Sequence, residues 1–471
     1  MYPPYELDRR TLLRGAVAVV FSAGAPSVLT ACATGGGSPK SAVSTKGPVS
    51  VANPLGVDGS APLNPVIFKG GYGDDWARYI EALYAQAYPH APIKHEGIQQ
   101  VGQTEQPRFV AGNPPDVVDN AGNALNISAL IASGQVADLT PLLDAPSVDD
   151  PKTKVRDTIQ AGVVDTELVA GKIYQLDYVQ TVFGFCYSRK LFDARGWQYP
   201  TTWDSMLALC AQIKASGMAP WTYQGKNPDY WNEPLMAMAG KAGGPEVVLA
   251  IDNLEPGAWR APAVLAAAQA IYQIADRGYL LEGTASMTHT QAQTEWCENK
   301  AAFIPCGTWV ENEMKGIMPA DFDMAISPTP SLSRVDKLPF TAIYAKASEP
   351  FIVPSQARNV AGGMEFLRLM LSKAGALNFA KTTGSISVVK GGAEGVELSP
   401  GLQSAIADLA AAGSHLVLHR WGDWYKQLNA AVKDANGALM TKAIRPEEWV
   451  DRCQKAADSV AADPGITKFK R

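Results

Sequence analysis

Aromatic rings set beside short planar polar groups recur three times along this chain. PWTYQGKNPDYWNEP carries Trp221, Tyr223, Gln224, Lys226, Tyr230 and Trp231, and HRWGDWYKQL carries Arg420, Trp421, Asp423, Trp424 and Tyr425. In AAFIPCGTWVENE an apolar run ends at Cys306-Gly307, and Trp309 follows with Glu311 and Asn312 close behind. Such groupings suit a pyranose ring, whose C–H face stacks on an aromatic ring while carboxylates, amides and guanidinium groups each take two hydroxyls. Each cluster would also serve inside a core, where most tryptophans of globular proteins are wholly or partly buried. Trp309 therefore poses a choice between a core residue ending a strand and a ring held out for a ligand.

Competing chemistries leave few traces. The chain has no GxSxG elbow, HExxH, P-loop or dinucleotide-binding glycine pattern, so no cofactor is expected. His415 and His419 have the spacing of metal ligands on a helix, but no acidic residue lies between them. We read them as ordinary histidines and expect no metal site. Glu311 and Glu313 are weak as a glycosidase pair, because hydrolysis needs two carboxylates about 5–9.5 Å apart across the bond. Residues two apart on one segment rarely straddle a substrate. No basic stripe is present and the net charge is −5, which argues against a nucleic-acid partner.

The elements that must position these residues read as α/β. With 471 residues the chain exceeds what one hydrophobic core usually serves, so two lobes are expected. A strand at Pro65–Lys69 leads through GGYGDD into an amphipathic helix with Trp76, Tyr79, Ile80, Leu83, Tyr84 and Ala87 on one face. Further strands are expected at Pro92–Glu96 and Asp116–Val118, the latter delivering Asp119 and Asn120 to a loop. YQLDYVQTVFGFCYSRKLF predicts a long extended segment, and Glu349–Pro354 and Ser385–Val389 predict two short returning strands. One helix should start at a capping-box pattern, Thr201-x-x-Asp204, and stop at Gly217; another should close at Gly278. From about Leu402 the pattern is mostly helical.

The N-terminus reads as an export signal. Paired Arg9 and Arg10 precede the apolar AVAVVFSAGAPSVL, which suggests twin-arginine export. Leu29-Thr30-Ala31-Cys32 resembles a lipobox, in which the cysteine is acylated and becomes the new N-terminus. Residues 1–32 are thus expected to form a lipoprotein signal peptide ending at a lipidated Cys32. Residues 33–63, rich in Gly, Ser, Pro and Ala, form a flexible tether. Five cysteines remain: Cys186, Cys210, Cys297, Cys306 and Cys453. Their odd number leaves at least one unpaired, and a Cys297–Cys306 bridge is one open pairing.

The stretches FKGGYGDDW, QPRFVAGNPPDVVDN, DLTPLLDAPS, PWTYQGK, AIDNLEPGAW, GTASMTHTQAQTEW, FIPCGTWVENE and SEPFIVP carry a family resemblance. With the leader, the chain resembles the N-acetylglucosamine/diacetylchitobiose-binding lipoproteins of actinobacterial ABC importers, within the family-1 extracellular solute-binding proteins. The resemblance implies a periplasmic-binding-protein-like α/β fold of two lobes joined by three crossings, with the sugar in the cleft between them. The crossings would fall near Asp177–Gln180, Ala347–Pro350 and Ser387–Lys390. Residues 64–177 with 350–387 would then make the N-terminal lobe, and 178–349 with 388–471 the C-terminal lobe. By the same resemblance Trp309 is a stacking platform and Trp424 a second ring, while Asp119 and Asn120 supply polar contacts and Tyr72 and Asp75 face the cleft. Tyr223, Tyr230, Glu311 and Trp421 complete the expected sugar-contact set. The implied partners are a sugar and membrane ABC permease subunits, met by a lipid-anchored monomer on the extracellular face of the cell membrane. The same binding role for another mono- or oligosaccharide, or an exported glycosidase-like enzyme, are the alternatives.

Overall fold

Short apolar segments rich in β-branched residues form the strands that open the body. The computed structural model describes residues 46–122, 124–160, 163–166, 168–169 and 171–471. Arg9, Arg10, Cys32 and the expected tether as far as residue 45 lie outside the described residues. The rest of that stretch, 46–63, is not a free tether, because Val57 and Leu63 are buried in the cluster around Trp76 and Leu63 bridges to Ile93.

Strands β1 (Pro65–Phe68), β2 (Glu96–Ile98) and β3 (Val117–Asp119) lie parallel in the order β2-β1-β3. Parallel strands are covered on both faces, which demands apolar residues at successive positions. Val66 and Val118 accordingly join a cluster with Val101, Phe109 and Ile352. Their neighbours Ile67 and Val117 join a different cluster, with Trp76, Ile80 and Phe351. A small hairpin, β4 (Leu168–Val169) and β5 (Lys172–Ile173), then precedes the long β6 (Leu176–Ser188).

The remaining strands are β7 (Ala219–Trp221), β8 (Ala301–Gly307), β9 (Met324–Ser327), β10 (Ile343–Ile352) and β11 (Leu416–Val417). The sheet path runs β2-β1-β3-β10-β6-β8-β7, with β9 on β6 and β11 on β10. The far half of β6 separates two further clusters. Phe185 and Phe303 pack with Trp221, Trp231 and the C-terminal helices, while Cys186, Ile304 and Cys306 pack with Trp296 and Ile326. The molecule thus has two α/β lobes, each a sheet with cores on both faces, and β6 and β10 run from one lobe into the other.

Local patterns hold with some shifts. Helix Asp75–Ala87 buries Trp76, Ile80 and Tyr84 together with Ala77, but Tyr79 is 37% exposed and Ala87 lies outside the core. The buried stripe is narrower than the expected face. The capping box sits one residue later than its pattern suggested: Thr202 caps helix Trp203–Ala215 reciprocally with Ser205, since a serine hydroxyl closes the box as an acidic side chain would. Ser385–Val389 forms no strand; it contributes single bridges, Ser387 to Val179 and Val389 to Ile159. Three helices, Pro400–Ala412, Lys426–Met440 and Pro446–Ala462, dominate the ending. All five described cysteines are buried free thiols, so Cys297 and Cys306 are not bridged.

Candidate functional site

Three segments lie side by side where the lobes join. On β6 and β10, Gln180 is opposite Ala347 and Asp177 opposite Pro350. The third segment docks on the other edge of β6, where Gln180 N–H donates to the Ile386 carbonyl at 3.0 Å and Val388 N–H to the Tyr178 carbonyl at 2.8 Å. One residue in this ribbon departs from extended geometry: Glu349 has φ +58° directly before Pro350. A side chain there is strained, and a following proline further favours extended backbone.

Trp309 stands where β8 ends. Its ring folds back over the strand, so that a Cβ on Gly307 would collide with it. The ring is half-buried and packs against both the N-lobe cluster around Trp76 and the C-lobe cluster around Cys306. Phe183 meets it edge-on at 4.8 Å and Tyr230 at 6.1 Å. From the other lobe Gly71 approaches until a Cβ would lie 3.5 Å from the indole, close contact but not collision.

Hydrogen bonds join the lobes across the cleft. Asn312 Nδ2 donates to the Gly71 carbonyl at 2.5 Å, and Ser128 Oγ donates to the Trp424 carbonyl at 3.0 Å. Lys426 Nζ donates to the Ala124 carbonyl. The structure is therefore the closed arrangement of the two lobes.

The cleft floor is densely ionisable. Asp119 ends β3 with no exposed surface; its oxygens accept from the Phe68 N–H at 3.2 Å and the Ala121 N–H at 3.3 Å. Its carboxyl is hydrogen-bonded to that of Glu349, and burial raises both, so that the pair keeps a proton. Lys346 pairs with Asp423 at 3.0 Å, and Arg420 pairs with Asp177 at 3.4 Å and Asp423 at 3.7 Å. Burial opposes ionisation of Asp423, but Lys346 and Arg420 hold its carboxyl below the usual range. Asp423 nonetheless keeps 38% of its side-chain surface accessible. Burial pushes Glu233 up to about 8, and it drives His419, stacked on Trp421 at 4.7 Å, down to about 3. His415 and His419 flank β11 rather than riding on a helix.

The family model for bacterial extracellular solute-binding proteins matches residues 69–377. The chain belongs to that family. It is 35% identical over 469 residues to the diacetylchitobiose binding protein of Streptomyces coelicolor, covering 99% of this chain and 98% of that protein. Among solved structures it is similar to a chitin oligosaccharide binding protein, with a TM-score of 0.64 at 20% identity over 82% of this chain and 93% of the other. A solute-binding protein in complex with raffinose is similar too, with a TM-score of 0.66 at 16% identity over 85% of this chain and 99% of the other. These structural likenesses establish the two-lobed fold. Membership of an extracellular family places this solute-binding protein outside the cytoplasm or at the membrane.

The expected contact residues divide in this solute-binding protein. Trp309, Tyr230 and Trp424 are half-buried around the cleft, and Tyr72 and Asp119 stand behind its N-lobe wall. Trp421 and Tyr223 are corrections: both lie in the C-lobe core, 0% and 1% exposed, packed on Trp259 and Trp231 respectively. Glu311 is committed elsewhere, accepting from Ser399 Oγ and from the Gly401 N–H at 3.1 Å, where it caps helix Pro400–Ala412. Asn120 spends its amide on its own loop, accepting from the Leu125 N–H at 2.7 Å and donating to the Leu125 carbonyl at 3.3 Å. Asp75 is exposed in the first turn of its helix. Sequence reasoning missed Phe183, Glu233, Lys346 and Glu349. The one signal available was a lysine and a glutamate inside the apolar strand IYAKASEPFI.

Proposed function

We propose that this protein is the substrate-binding component of a carbohydrate ABC importer. It captures N-acetylglucosamine or diacetylchitobiose by lobe closure and delivers the sugar to membrane permease subunits. The observation that carries this reading is the Trp309 ring, half-buried against the cores of both lobes and tied to the N-lobe through Asn312. A ring so placed meets a ligand from both lobes only when they close, which couples binding to closure. The relative from Streptomyces coelicolor supports the choice of sugar. The contact set we propose is Trp309, Tyr230, Phe183, Trp424, Tyr72, Glu349, Lys346 and Asp423, with Asp119 behind Glu349 as its support. The lobes we assign are residues 64–177 with 350–387, and 178–349 with 388–471.

A binding role without catalysis fits the carboxylates at hand. Asp119 and Glu349 share a hydrogen bond, closer than the roughly 5–5.5 Å separation of a retaining glycosidase pair. Calorimetry with N-acetylglucosamine, diacetylchitobiose, maltose, xylobiose and cellobiose tests the assignment. Tight binding of the N-acetylated sugars, recovered intact, is expected. Shortened products would make the protein an enzyme, and a preference for another sugar would move it within the family.

The protein works, in this reading, as a monomer anchored through acylated Cys32 after twin-arginine export. Cys32→Ser should shift it from the membrane fraction to the medium or leave it unprocessed. Lysines in place of Arg9 and Arg10 should block export; normal export would indicate the general secretory route.

A further inference from the structure

Three observations meet at the N-lobe side of the cleft floor. The first is the strained backbone at Glu349. The β10 ladder continues on both sides of it, with Ser348 opposite Val179 and Pro350 opposite Asp177. The left-handed residue therefore does not end the strand; it redirects one side chain. That side chain meets Asp119, whose strand is bonded alongside, with Phe351 opposite Asp119 and the Asn120 N–H donating to the Pro350 carbonyl at 2.7 Å.

The second observation is that both Asp119 oxygens already accept backbone N–H groups, from Phe68 and Ala121. Asp119 is thus the fixed acceptor, and the hydrogen between the two carboxyls belongs to Glu349. A glutamic acid whose O–H points at Asp119 has its carbonyl oxygen left over. Glu349 keeps accessible surface, whereas Asp119 has none.

The third is the Tyr72 hydroxyl. Tyr72 is 8% exposed, and its Oη lies beside the Thr181 side chain without forming a well-aligned hydrogen bond among the described residues. Its ring is pinned on Phe379 at 5.6 Å, and its loop is held at Gly71 by Asn312. Glu349 is the ionisable side chain that bears most on this hydroxyl. A buried O–H left unpaired is costly, so it discriminates sharply between ligands that take it and ligands that do not.

We propose that Glu349 and Tyr72 select the acetamido group of the sugar: the Glu349 carbonyl oxygen accepts the amide N–H, and the Tyr72 O–H donates to the amide carbonyl oxygen. This rests on the cleft reading above. A secondary amide carries a donor and an acceptor on separate atoms, matching an acceptor and a donor held on separate residues. A ring hydroxyl also donates and accepts, but through a single atom, so it cannot pair with both groups when they are spaced for the separate N–H and carbonyl of an amide.

Calorimetry with diacetylchitobiose and cellobiose, which share the linkage and ring shape but differ at the acetamido positions, tests this. Tyr72→Phe should weaken diacetylchitobiose roughly 5- to 150-fold and cellobiose by less, so that the preference for the N-acetylated sugar narrows. Glu349→Gly suits the left-handed backbone while removing the acceptor, and should likewise narrow the preference. Glu349→Gln keeps both a donor toward Asp119 and a carbonyl oxygen toward the ligand, so it should retain the preference. Equal losses for both sugars in Tyr72→Phe and Glu349→Gly, or loss of preference in Glu349→Gln, would overturn the assignment while leaving the cleft reading intact. Wild-type protein that binds neither sugar would overturn the cleft reading itself, and this inference with it.

Discussion

Asn312 donates its side-chain N–H to the Gly71 carbonyl at 2.5 Å, tying the short helix after Trp309 in one lobe to the residue before Tyr72 in the other. A bond made only when the lobes meet stabilises the closed form without contributing to the folding of either lobe. Asn312→Ala should therefore lower sugar affinity by about 2- to 12-fold, the effect of one ordinary hydrogen bond, and leave the melting temperature of the free protein unchanged. Small-angle scattering should give a smaller radius of gyration with diacetylchitobiose than without it. An unchanged radius at saturating sugar would mean that closure is not linked to binding.

Trp309 and Trp421 make a matched pair for testing where a tryptophan acts. Trp309 is half-buried at the cleft, whereas Trp421 is fully buried against Trp259 and His419. Trp309→Ala should cost about 2–4 kcal/mol of binding, or roughly 30- to 1,000-fold in affinity. Its effect on the melting temperature without sugar should be small. Trp421→Ala leaves a large cavity and should cost about 3–5 kcal/mol of folding stability. Thermal melts with and without sugar separate the two effects. A Trp309→Ala protein that melts early and still binds normally would return that residue to the core.

Buried thiols should be silent. Burial pushes Cys186, Cys210, Cys297, Cys306 and Cys453 up from the ordinary thiol range, and none is bridged. The thiolate is the reactive form, so a maleimide should leave all five unmodified in the folded protein and label all five in denaturant. Mass spectrometry counts the adducts. A folded protein that labels at Cys297 or Cys306 would show that this part of the C-lobe opens.

The fold was legible because local patterns and tertiary placement agree. The apolar segment around Leu176–Ser188 could serve as little else than a long buried strand, and Trp309 stood out where an apolar run broke at glycine. The site was less legible for a physical reason. A stacking platform and a core ring have the same composition, so Trp421 and Tyr223 looked like Trp309 until burial separated them. Glu311 looked free until a helix beginning at Pro400 came to rest on it. Glu349 and Asp119 lie 230 positions apart in sequence, and no periodicity announces that they touch.

Glu233 gives the floor of the cleft a pH signature that can be isolated. Its side chain is 13% exposed; burial raises it to about 8, with Lys346 opposing. A carboxyl with a raised folded pKa binds a proton that the unfolded chain has already lost. Its contribution is complete below the unfolded value, near 4.5, and is lost as pH rises toward about 8. His419 works the other way: lowered from 6.5 to about 3, it lets stability rise with pH across that interval. The two offset each other between about 4.5 and 6.5, and Glu233 is left unopposed by His419 from about 6.5 to 8. Glu233→Gln cannot ionise, so its stability relative to wild type should improve over that upper window. One proton corresponds to about 1.4 kcal/mol per pH unit, hence to about 2 kcal/mol at most between pH 6.5 and 8. Urea unfolding of both proteins at pH 5, 6.5 and 8 measures the difference directly. A difference that stays constant with pH would show that Glu233 is ionised in the folded protein, paired with Lys346.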